Sequence, residues 1–130
     1  VVAAAIARAV RQCDPSLALL GLAGSAMLDA ARAAGLRGVS EAFLDRGYAA
    51  DGTLLPRDHP AAVLADPGGV ATRAVRLVRE RRVEAEDGTA IWLNPESLCV
   101  HGDGPRPADL LRAVRAAFAD TGITVAPFAR

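Results

Sequence analysis

The chain has 130 residues, 52% of them hydrophobic and only 4% aromatic, so a core must be built from Ala, Val and Leu, and a disordered chain is excluded. Fifteen basic residues balance fifteen acidic ones, which leaves no electrostatic case for binding nucleic acid or an anionic membrane. Every basic residue is arginine, which rules out a Walker lysine, a Schiff-base lysine and a Ser-Lys dyad from within this chain. Arginine can still clamp a carboxylate or phosphate through paired hydrogen bonds.

Val1 to Gln12 reads as an alanine-rich helix, with no capping residue before it and no initiating methionine. The expectation is therefore the later part of a longer chain. The start lacks a basic region ahead of an apolar one, so no signal peptide is expected, and the longest apolar run, Leu17 to Leu28, is too short and too broken to span a bilayer. Cys13 and Cys99 fit no CxxC spacing, and reduced thiols in the cytoplasm are expected.

Ser16 to Leu22 suits a buried strand. Gly24-Ser25 then opens a helix that Gly35 stops, and a second strand fits Val39 to Phe43. Gly21 to Ser25 matches neither G-x-G-x-x-G nor a P-loop, so ordinary capping is expected there. Leu44 to Pro67 reads as a long loop rich in Asp, Gly, Pro and Arg, a length that is usually functional or disordered. It holds Asp45, Arg46, Tyr48 and Arg57. Asp45 with Arg46 or Arg57 is either an ion pair that holds the loop or a group that meets substrate. His59, before Pro60, reads as a surface histidine.

Pro67 begins the next helix, with Val70, Ala74, Leu77 and Val78 on one face and Arg73 and other charged residues on a solvated face. Asp87-Gly88 predicts a hairpin, packed by Trp92, between Val83–Ala85 and Ala90–Leu93. A strand follows, running to His101, and then a helix from about Pro107 that buries Leu110, Leu111, Val114, Ala117 and Phe118. Ile123 to Ala126 reads as a last strand.

The stretch Ser97-Leu-Cys-Val-His-Gly-Asp103 ends a strand and turns toward a helix, the position where parallel α/β folds gather chemistry. His101 and Asp103 would share a face if the strand persists. They could then form a general-base pair, a metal-ligand pair, an oriented hydrogen bond, or merely a capped turn. No G-x-S-x-G or H-E-x-x-H motif is present. The fold expectation is α/β, with parallel βα repeats that make about half of a TIM-like barrel, since a closed one needs about 250 residues; an independent open sheet is the alternative. Residues 1–130 then form the C-terminal portion of one barrel domain.

Glu41-Ala-Phe-Leu-Asp-Arg-Gly-Tyr48, Asp51-Gly-Thr-Leu-Leu-Pro-Arg57, Pro60-Ala-Ala-Val63 and Cys99-Val-His-Gly-Asp103 together resemble the second half of the LamB/YcsF family. Leu19 to Ser25, with Ala30-Ala31 and Gly35-Leu36, resembles the stretch just upstream in that family. Leu44 and Gly47 stand where the family usually has alanine, Ala61 replaces a glycine, and His59 is not a family feature. The family's N-terminal half, with its own His- and Asp-bearing motifs, is not in this sequence, so this fragment alone is expected to be inactive.

The resemblance implies a βα-barrel that serves as the A subunit of ATP-dependent 5-oxoprolinase, which opens 5-oxo-L-proline to L-glutamate with ATP as co-substrate, alongside the B and C subunits. That chemistry asks for a base, a proton carrier and cations for anionic groups. His101 and Asp103 are assigned as base and orienter, Glu41 as the proton carrier, and Arg46, Arg57, Asp45 and Tyr48 as substrate-binding residues. A divalent metal at His101 and Asp103 is a further option. The rival readings are a non-catalytic lactam-binding or scaffold protein, and a metal-dependent amide or N-acetyl hydrolase that needs no ATP.

Overall fold

The computed structural model describes residues 1–128. In chain order its elements are α1 (Val2–Cys13), β1 (Ala18–Leu22), α2 (Ala26–Ala33), β2 (Arg37–Phe43), α3 (Pro67–Glu80), β3 (Arg82–Glu84), β4 (Ala90–Trp92), β5 (Ser97–Cys99) and α4 (Pro107–Asp120). The fold is mixed α/β: β1, β2 and β5 form a sheet in the order β1-β2-β5, with β1 and β2 parallel, while β3 and β4 form a separate antiparallel hairpin. No described helix is long and apolar enough to cross a membrane.

The chain divides into two compact units, the first made of Val1–Ala42, Asn94–Ser97 and the segment from Pro127. Its core is small: Ala7 of α1, Ala31 of α2 and Leu36 are buried, with Val10, Leu19, Ala30 and Ala34 packed against them. Helices α1 and α2 meet through small side chains, and Ala23, Val39 and Ala42 of the same unit are buried as well. Gly35 ends α2 in the left-handed region, at φ +71, and Leu36 N–H closes the motif on Ala31 O at 2.9 Å. Ser25 is the N-cap of α2 by position, but its hydroxyl caps no amide.

The second unit comprises Phe43–Leu93 and Leu98–Ala126. The Asp66 carboxylate accepts from Gly69 N–H at 2.7 Å and caps α3, which opens on Pro67. Helices α3 and α4 pack together; α3 buries Val70, Ala71, Ala74 and Leu77, and α4 buries Leu110, Val114 and Phe118. Truncating a side chain such as Leu77 to alanine removes about 2–5 kcal/mol from a core of this kind.

Three expectations are corrected here. Leu111 is exposed, because the stripe that faces inward along α4 steps by four residues, from Leu110 to Val114 to Phe118, and leaves Leu111 about 100° away. Trp92 is 72% exposed: in the hairpin Val83 opposes Ile91 on the buried face, so Arg82 and Trp92 oppose each other on the solvent face. Ile123–Ala126 is not a strand. Ile123 N–H instead closes the end of α4 on Phe118 O at 2.8 Å, and Val125 lies exposed.

Candidate active site

The segment from Leu44 to Asp66 contains no helix or strand, yet it is tightly wired. Short antiparallel bridges join Arg46 to Val63 and Tyr48 to Leu54. Leu64 N–H donates to Asp45 O at 2.9 Å, and Gly47 N–H donates to Ala62 O at 3.1 Å. A Cβ at Gly47 would collide with the Ala61 carbonyl and with Leu55, so the backbone there packs more closely than alanine allows.

Arg46, 7% exposed, sits inside this fold-back. Its Nε donates to Ala62 O at 2.9 Å and its Nη2 to Leu55 O at 2.8 Å, so the guanidinium replaces the ladder bonds that an irregular loop lacks. Tyr48 is 1% exposed, and its hydroxyl accepts from Phe43 N–H at 2.9 Å. Burial pushes that hydroxyl above the ordinary phenol range, against the opposing pull of the Phe43 N–H and of Arg73 and Arg46. Arg73 lies over the Tyr48 ring, 5.4 Å from its centroid, and reaches Arg46 O at 3.3 Å. It was expected on a solvated face; instead it braces the loop, and burial lowers its pKa.

Asp45 ties this loop to the turn after β5. One carboxylate oxygen accepts from His101 N–H at 2.7 Å, and the other lies 2.9 Å from His101 Nδ1. The carboxylate side chain is 3% exposed and the imidazole 24%. A buried acceptor on Nδ1 favours the tautomer with its proton there, which leaves Nε2 with the lone pair that takes a proton. Phe43 meets the same imidazole edge to face, with ring centroids 4.7 Å apart.

The orienting carboxylate is thus Asp45, not Asp103. β5 stops at Cys99, so the alternation that would put His101 and Asp103 on one face does not extend to them. Asp103 instead meets Arg57, with Nη1 to Oδ2 at 3.2 Å, and both side chains remain more than half exposed. Two remote segments of the second unit are therefore joined twice, by Asp45–His101 and by Arg57–Asp103.

Of the residues expected to bind substrate, Asp45 fixes a histidine, and Arg46 and Tyr48 hold the loop. Glu41 belongs to the first unit, where its Oε1 accepts from the Ser97 hydroxyl at 3.1 Å. His59 is more than a surface residue: its Nδ1 accepts from Ala61 N–H, and its Nε2 lies 3.3 Å from Glu86. Phe43 and Arg73 were missed as site residues, since an apolar strand residue and a helix arginine carry no local sign of either contact.

His101 and Asp103 are not brought together as a ligand pair: Nδ1 of the first is taken by Asp45 and the second faces the Arg57 guanidinium, and the described residues contain no group of three or more His, Cys, Asp or Glu arranged to hold an ion.

The match to known proteins is extensive. The LamB/YcsF family profile matches residues 1–130. The chain is 48% identical to the 5-oxoprolinase A subunit of Mycobacterium avium over 97% of its length, covering 50% of that protein. It is 51% identical to the protein of the same name from Paracidovorax citrulli, over 93% of its length and 48% of the relative. A crystal structure of a lactam utilization protein from Thermus thermophilus superposes with TM-score 0.89 at 43% identity, covering 97% of this chain and 50% of that one. The chain spans about half the length of these relatives. It belongs to the LamB/YcsF family.

Proposed function

We propose that this chain is the carboxyl-side half of a TIM-like barrel in a cytoplasmic 5-oxoprolinase A subunit, working with the B and C subunits to open 5-oxo-L-proline to L-glutamate with ATP hydrolysis. The name shared by its relatives supports the substrate class. The observation that carries the chemistry is the His101 imidazole, held at 2.9 Å by a buried carboxylate and still a quarter exposed.

A five-membered lactam is an unreactive amide. Phosphorylation of the amide oxygen by ATP makes the ring carbon electrophilic, so water adds to it. The ring nitrogen then takes a proton and leaves as the amine, and a second water releases phosphate from the acyl phosphate so formed, giving glutamate, phosphate and ADP. Nε2 of His101 takes the proton from the first water, and Asp45 keeps the ring oriented and stabilises the imidazolium that forms. Arg57, exposed on the same unit, holds a carboxylate or phosphoryl group through its charge. Asp103 keeps Arg57 extended between substrate encounters. Glu41 remains the proposed carrier of the proton that the ring nitrogen receives.

The test is turnover of 5-oxoproline by the full-length protein in complex with the B and C subunits. His101→Ala that leaves assembly unchanged and removes activity supports this reading. A loss of assembly with normal turnover in the residual complex supports a scaffold role instead, and turnover that needs no ATP overturns the coupled mechanism.

A further inference from the structure

We infer that Phe43 is a positioning residue for His101, fixing the plane of the imidazole that Asp45 alone fixes only in direction. The inference rests on the reading of His101 as a base. Asp45 grips the residue at its backbone N–H and at Nδ1. A hydrogen bond to Nδ1 tolerates a range of angles, so χ1 and χ2 of His101 can shift together and swing Nε2 through an arc while the bond to Asp45 persists. The Phe43 ring stands at 88° to the imidazole with centroids 4.7 Å apart, the edge-to-face arrangement that aromatic quadrupoles favour. A pivot would break that contact.

Phe43 is a rigid stop because its own backbone is held on both sides. Its N–H donates to the buried Tyr48 hydroxyl at 2.9 Å, and the next amide, of Leu44, donates to Cys99 O at 2.9 Å, two residues before His101. Tyr48 is in turn capped by the Arg73 guanidinium on its ring face. The cluster therefore runs from Arg73 through Tyr48 and Phe43 to the histidine, and it gives the buried loop residues a role in the geometry of one reactive nitrogen.

The experiment uses the full-length protein in complex with its partners. Phe43→Leu is expected to lower kcat about tenfold, with KM within about twofold, which is the scale of one lost aromatic pair. Phe43→Tyr should restore kcat to within about twofold. In spectra of the imidazole ring, Phe43→Leu should shift and broaden the carbon-bound proton signals of His101 as the ring swings, while the Nδ1–H tautomer persists because Asp45 still holds it. Unchanged ring signals with unchanged kcat overturn the inference. So does a joint fall in kcat and Tm that Phe43→Tyr does not repair, since that marks Phe43 as structural only. If Phe43→Leu does not fold, Phe43→Met is read in the same way. Should His101→Ala retain turnover, the base reading fails, and the ring spectra of Phe43→Leu still decide whether Phe43 positions the imidazole.

Discussion

The loop from Leu44 to Asp66 and the turn from Val100 to Arg106 hold comparable polar residues, but they use them in opposite ways. At the start of the loop two charges turn inward: Asp45 and Arg46 are buried, bonded to a histidine and to carbonyls, while Asp51, Arg57, Asp58 and Asp66 stay exposed. In the turn Asp103 stays largely in solvent. The difference shows that a dense run of charged residues is not itself a binding surface. A long irregular segment must satisfy its own backbone first, and here Arg46 is consumed in doing so. The wired loop also holds up a neighbour, as Asp45 holds His101.

The sharpest way to break that comparison is to exchange the roles of the two aspartates. His101→Ala and Asp45→Asn should each reduce turnover about a hundredfold or more in the assembled enzyme. Asp103→Asn should cost less than about tenfold. Steady-state kinetics on folded variants checks this, and an Asp103 effect equal to that of Asp45 would restore Asp103 as the orienting group.

The close packing of the loop predicts the next effect. Gly47→Ala should destabilise the protein by about 2 kcal/mol, the usual cost of forcing a methyl group into filled space, as read from urea denaturation. A neutral result would show that the loop backbone gives way easily. At the exposed pair, Arg57→Ala should raise KM for 5-oxoproline about tenfold while changing stability by less than about 1 kcal/mol, since solvent-exposed ion pairs contribute little. The reverse ordering would assign Arg57 to the scaffold.

Smallest is the Tyr48 hydroxyl. Tyr48→Phe should cost about 1 kcal/mol through the lost bond to Phe43 N–H. Because the folded protein raises this pKa, stability is full below the ordinary phenol value near pH ~10 and falls as pH rises from there toward the raised value. Urea midpoints across that alkaline range should drop less steeply in Tyr48→Phe than in the parent chain.

Much of the fold was legible because its signals are local. Pro67 at a helix start, Gly35 at a helix end and Asp87-Gly88 in a hairpin each act within a few residues, and the structure has all of them where the pattern places them. The failures are instructive in the same terms. Trp92 and Leu111 are hydrophobic side chains whose outward direction depends on which face of the hairpin or helix meets a neighbour. Ile123–Ala126 has the composition of a strand but no ladder partner among the described residues. Residue identity alone does not supply either fact.

The amino-acid order by itself determined most of the order of helices and strands as far as α4, the absence of lysine chemistry, the long polar loop and the motifs that carry the family resemblance. Tertiary structure alone decided which carboxylate serves His101, because Asp45 and His101 are 56 residues apart and meet only when the loop folds back against the turn. It decided likewise that Arg46 and Tyr48 are enclosed while Arg57 remains in solvent. Local periodicity fixes where a side chain points along its own element. Contact between remote segments, which no local pattern encodes, fixes what it touches.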